Sequence, residues 1–268
     1  MIRLPDVALP SDRLRELDAL QAEIDALATY PERVTAAKAR FGQRNTARDP
    51  LFGVVRETLE RMCHGPRRCG YCEDSAADEV EHVRPKDLYP ELAFAWENYL
   101  YACGPCNGPK NNRFAVFSHT TGALVDVTRR RGAPVREPEA GDPVLIHPRQ
   151  EDPLQWMELD LVDTFYFIPI GAPGSRDHQR AEYTIEVLRL NKREFLAEAR
   201  RAAFGNYFRL AADYVRARDA GDPQAFADAD RSLRGLTHRT VWKEMQRQHS
   251  LPRLHDLFKR APELFRLG

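Results

Sequence analysis

Two pairs of cysteines, Cys69-Gly70-Tyr71-Cys72 and Cys103-Gly104-Pro105-Cys106, restrict this chain more than any other feature it carries. Each CxxC offers two thiolates at the spacing a tetrahedral ion needs, and together they supply the four sulfurs of a closed structural Zn²⁺ shell. Buried or redox-active cysteines are the plainer reading of the same pattern. Disulfides are disfavoured, because the opening residues Met1-Ile2-Arg3-Leu4-Pro5-Asp6 have no apolar run after a basic start and so no visible secretory signal. The fifth cysteine, Cys63, reads as a small buried residue ending a helix, since four thiolates complete the shell without it.

A zinc staple alone does not say how much protein surrounds it. With 268 residues, 43% of them hydrophobic and 30% charged, the chain can bury a sizeable core and is not globally disordered. No stretch approaches the roughly 20 apolar residues that cross a bilayer, so a cytoplasmic protein without a membrane span is expected. Lys and Arg number 40, as do Asp and Glu, and the residues around the cysteines nearly balance as well. Attraction to a polyanion must therefore come from a few placed residues, a bound cation or a second protein.

The periodicity predicts an α+β, mostly helical fold: a small zinc-stapled module embedded between N- and C-terminal helical regions. Residues 1–62 form the first region, with Leu14, Leu17, Leu20, Ile24 and Leu27 at helical spacing after Pro10-Ser11, a second helix near 32–41 and a third over 50–62. Residues 63–127 change to Cys, Gly, Pro and short apolar runs, the texture of a metal-stapled module. Residues 128–182 read as a Pro- and charge-rich linker with short strands at 144–146 and 164–168 and a polar loop at 172–179. Residues 183–268 read as helices, their aromatic stripe of Phe204, Tyr207, Phe208 and Tyr214 belonging to a core or an interface. Arg129-Arg130-Arg131 is either a basic arm on nucleic-acid backbone or a solvated loop. Trp96 and Tyr99 fit packing around the zinc module better than base stacking.

Between the knuckles lie Val80-Glu81-His82-Val83-Arg84-Pro85-Lys86 and Trp96-Glu97-Asn98, and Asn107 and Lys110 follow the last cysteine. This order resembles the four-cysteine HNH (ββα-metal) endonucleases, and more narrowly the PtuB-type nucleases of Septu antiphage and some retron systems. Leu145-Ile146-His147-Pro148-Arg149 and residues 184–191 are similar to that family too, so the resemblance spans roughly 63–200. It implies metal-assisted phosphodiester hydrolysis with His82 as general base, oriented by Asn98. Glu81 and Asn107 would hold a catalytic Mg²⁺ or Mn²⁺, Lys110, Arg84 and Lys86 would contact phosphate, and Cys69, Cys72, Cys103 and Cys106 would hold structural zinc. Glu81 replaces the commoner Asp, and Asn107 makes the motif His-Asn-Asn. The resemblance further implies a nucleic-acid substrate, DNA in the first reading, and an ATPase partner of the PtuA type, related to ABC and SMC ATPases. Two alternatives stay open at this level: a non-catalytic zinc module that binds nucleic acid or scaffolds a complex, and an RNA-cleaving toxin using the same residues.

Overall fold

The computed structural model describes residues 1–267, and it is an α+β protein, mostly helical, with three small antiparallel sheets among the described residues. Three helices open the chain: α1 Ser11–Asp25, α2 Tyr30–Arg44 and α3 Pro50–Met62. The sequence pattern places α2 at 32–41, but Thr29 and Glu32 close a reciprocal capping box that starts the helix at Tyr30. Asp49 caps α3 by accepting from the Phe52 amide, and Pro50 takes the first turn, where no donor is needed. Their apolar faces, including Leu17, Ile24, Phe41, Phe52, Val55 and Leu59, form one core.

Against that core sit β1 Glu79–His82 and β2 Tyr99–Ala102, paired antiparallel with Glu81 opposite Leu100 and His82 opposite Tyr99, followed by the short helix α4 Gly104–Lys110. The alternation of a strand decides what each residue touches. Tyr99 and Tyr101 enter the N-terminal core, whereas Leu100 and Ala102 enter a second core that holds all four knuckle cysteines. The small ββα unit is thus clamped between two cores, which a hairpin of two four-residue strands needs in order to be stable.

A second sheet has β3 Ala115–Ser118 between β4 Leu124–Asp126 and β5 Gly141–Pro143. A Cβ at Gly141 would lie 2.3 Å from the Phe117 carbonyl oxygen, so only glycine permits this approach. The strand expected at 144–146 is displaced: pairing ends near Pro143, and Ile146 turns inward, where its amide donates to the Thr184 hydroxyl at 3.0 Å. The linker expected before it is tied down at both ends. Arg129 donates to the Tyr30 hydroxyl at 2.7 Å and to the Arg136 carbonyl at 2.9 Å, so it is an internal clamp, while Arg130 and Arg131 stay exposed.

The hairpin β6 Met157–Leu159 with β7 Phe167–Pro169 leads into α5 Arg176–Val187. This helix begins inside the segment expected to be loop, because Ser175 caps it by accepting from the His178 amide at 3.2 Å. The remaining helices are α6 Glu194–Ala220, closed by Gly221 at φ 64°, α7 Pro223–Gly235, α8 Arg239–Arg247 and α9 Pro252–Arg260. They pack around Trp242, stacked on Tyr207 at 5.3 Å. No helix is long and apolar enough to cross a membrane.

Candidate active site and metal centre

The four knuckle sulfurs lie within 4.8 Å of one another and every one of the four cysteines is buried. Sulfurs around one tetrahedral zinc stand close to 4 Å apart, so the cluster fits the ion. Cys72 Sγ and Cys103 Sγ are 3.8 Å apart. The surrounding donors suit thiolates: the amides of Tyr71 and Cys103 point at Cys69 Sγ at 3.4 and 3.3 Å, and the Arg193 guanidinium donates to Cys106 Sγ at 3.1 Å. Burial pushes the Cys69 thiol up, while contact with the neighbouring sulfurs pulls Cys72 down. A divalent cation resolves that conflict by accepting four thiolates at once.

β1 borders a cleft of about 1010 Å³, with α2 and α3 on one side and β1 and α4 on the other. Four of the residues singled out from sequence meet there: Glu81, His82, Lys86 and Asn107. Three do not. Lys110 is wholly buried, donating to the His82 carbonyl at 2.8 Å and pairing with the Glu81 carboxylate, so its ammonium is internal and not available to phosphate. Arg84 lies outside the cleft, its guanidinium 5.7 Å from the Tyr89 ring centre. Asn98 does not reach the imidazole of His82: its oxygen accepts from the Arg84 amide at 2.8 Å and its nitrogen donates to the Arg84 and Leu92 carbonyls. It clamps the loop after β1 instead.

The orienting group for His82 is the Ala93 carbonyl, 2.8 Å from Nε2. A carbonyl oxygen only accepts, so Nε2 carries the proton and Nδ1 keeps its lone pair. Burial first, and the Lys86 cation second, hold the imidazole well below its ordinary pKa, so it is neutral at pH 7. The ring edge packs on Phe41 at 4.4 Å and Tyr99 at 5.2 Å, and Lys86 lies 4.5 Å over the Phe41 ring. Phe41 and Ala93 were not legible as site residues, since one is an apolar helix position and the other acts through its backbone. On the opposite face of β1, Glu79 and Glu81 share a side and both face α4, which presents Asn107 to the first and Lys110 to the second.

His147 and Arg149 form a buttress behind the module. The Arg149 guanidinium donates to the Trp96 and Tyr99 carbonyls and lies 4.6 Å over the Trp96 ring. His147 donates from Nε2 to the Glu97 carbonyl at 3.0 Å and accepts at Nδ1 from the Arg149 amide, which uses both nitrogens of the neutral ring. Burial lowers its pKa to about 4, against an ordinary 6.5. A group depressed on folding stabilises fully above its unfolded pKa and loses that contribution as pH falls toward the folded one. Between pH 7 and 5 this one residue should remove about 2 kcal/mol. Urea unfolding at both pH values should show a correspondingly smaller loss in His147→Gln, and an equal loss in both proteins would refute the linkage.

Over 48 residues the chain is 48% identical to the Septu protein PtuB of Bacillus thuringiensis. That match covers 16% of this chain and 19% of the relative, so the chain aligns with less than a fifth of PtuB's length. No family model matches the chain, and no solved structure matches it either. The likeness to PtuB is local.

Proposed function

We propose that this chain is a metal-dependent HNH endonuclease that hydrolyses phosphodiester bonds of nucleic acid, DNA in the first place. We further propose that it acts in the cytoplasm as the nuclease subunit of a Septu-like antiphage complex, with an ATPase of the PtuA type as partner. The observation that carries the reading is the cleft, which is lined both by the neutral imidazole of His82, its Nδ1 keeping a lone pair, and by the oxygen donors Glu81 and Asn107. A purely scaffolding zinc module has no use for that set. The local match to PtuB supports the defence setting.

In this reading His82 Nδ1 takes a proton from water as the water oxygen attacks phosphorus, and the P–O bond to the leaving oxygen breaks. The Ala93 carbonyl holds the imidazole plane during that transfer, and the imidazolium formed shares its charge through Nε2–H. Glu81 and Asn107 would hold Mg²⁺ or Mn²⁺ through oxygen atoms, the ligand type these hard cations take. When bound, such an ion neutralises charge on the phosphate and on the leaving oxygen. Lys86 lines the cleft and would contact a phosphate oxygen, whereas Lys110 sets the backbone of His82 and the carboxylate of Glu81.

The cleft carries six carboxylates against four Lys and Arg side chains, a formal charge of −2. A polyanion is repelled by that surface until cations neutralise it. Anisotropy of a labelled oligonucleotide with the cleavage-deficient, zinc-loaded His82→Ala chain should therefore show at least about tenfold tighter binding with added Mg²⁺ or Ca²⁺ than in buffer without them, since 1.4 kcal/mol is tenfold. Equal affinity in both would remove the cleft as the binding surface. The decisive assay follows cleavage of DNA and RNA side by side by the chain co-purified with its ATPase. Metal-dependent cutting of either polymer supports the nuclease, DNA alone supports the preferred substrate, and intact polymers with an active partner present overturn the reading.

A further inference from the structure

Glu79 was not singled out by its sequence context, yet its carboxylate is the hydrogen-bond partner of Asn107. The Asn107 amide nitrogen donates to Glu79 Oε2. A carboxylate only accepts, so the amide is fixed with its nitrogen toward β1 and its oxygen turned away from Glu79. Asn107 itself borders the cleft that also receives Glu81 and His82. Unlike Glu81, whose carboxylate is paired with the buried ammonium of Lys110, Glu79 has no Lys or Arg partner among the described residues. Gly104 of the second knuckle leaves room for this arrangement, since a Cβ there would crowd Glu79 Oε1 at 3.3 Å.

We infer that Glu79 is a positioning residue of the divalent-cation site, which presents the Asn107 carbonyl oxygen to the ion by holding the amide nitrogen. The inference rests on the proposed cation site, but not on catalysis or on the identity of the polymer cut. Strand and helix registers make the pairing unavoidable. Glu79 and Glu81 are two residues apart on one face of β1, and Asn107 and Lys110 are three apart on one face of α4, so each carboxylate meets one partner. The zinc knuckle that starts α4 thereby sets the angle of a cation ligand one turn later.

The test is Mn²⁺ titration of the zinc-loaded full chain, followed by the electron paramagnetic resonance of free Mn²⁺, with zinc content and circular dichroism as fold controls. Asn107→Ala and Glu79→Ala should each weaken binding about tenfold, equivalent to 1.4 kcal/mol. Glu79→Gln keeps an acceptor for the amide and should stay within about threefold of the parent, below 1 kcal/mol. The double variant Glu79→Ala/Asn107→Ala should be no weaker than Asn107→Ala alone, because the two residues act as one unit. Full additivity, or Glu79→Gln as weak as Glu79→Ala, overturns the inference in favour of a carboxylate acting on the ion directly. Parent affinity in Glu79→Ala overturns it outright. A parent chain that binds no Mn²⁺ removes the cation site itself, a failure visible before any variant is made.

Discussion

His82→Ala should lower phosphodiester cleavage by about 10²–10⁴-fold, the usual worth of a positioned general base. The variant is a fair test because little else depends on the ring's polar atoms. The Ala93 carbonyl that accepts from Nε2 also accepts from the Tyr99 hydroxyl at 2.8 Å, so truncation leaves no buried acceptor orphaned. What is lost structurally is packing against Phe41 and Tyr99, a cavity cost of the order of 2–5 kcal/mol that a thermal midpoint would register. Lys86→Ala should be milder in rate and should weaken polymer binding, since its ammonium borders the cleft without touching the imidazole nitrogens. Wild-type cleavage by His82→Ala, with metal present and fold intact, would show that the base lies elsewhere.

How far the sequence reached depends on what kind of contact each residue makes. The four cysteines were legible as a zinc-site candidate because that chemistry demands identical residue types at fixed short spacing, and the fold brings all four together. The helix α3 was legible from its apolar period alone. The start of α5 was missed because its signal is one capping Ser175 inside a stretch whose Gly and Pro content reads as loop. The roles of Asn98 and Lys110 were misread for a common reason. Sequence shows that a polar residue stands near a motif but not which way it faces, and both turn inward to backbone carbonyls. Phe41 comes from a helix 41 residues upstream of the histidine it packs against, a tertiary contact that no local pattern encodes. The first 62 residues, unmatched to any motif, prove to be one wall of the cleft.

If the four cysteines hold zinc, removing it should have the largest effect on the fold itself. The purified chain is expected to hold about one zinc per molecule, and Cys106→Ser should weaken its retention strongly, because only three thiolates remain for the tetrahedral shell. Structural zinc sites of this type carry apparent binding free energies of about 10–16 kcal/mol, comparable to the whole stability of a domain. The loss should not be uniform. The cysteines belong to the same core as Leu100, Ala102 and the C-terminal helices, and Arg193 ties Cys106 to the start of α6, so that side loses its organising ion. The N-terminal core around Phe52, Val55 and Leu59 contains no cysteine ligand and should keep its helices longer. Limited proteolysis after chelation should therefore cut first within residues 65–113, while amides in α1 to α3 exchange more slowly than those of β2 and α4. Elemental analysis finding no zinc would remove the assignment. A chelated chain that keeps β2 protected would show that packing alone holds the module, and that the four thiols are a buried cluster with no structural ion.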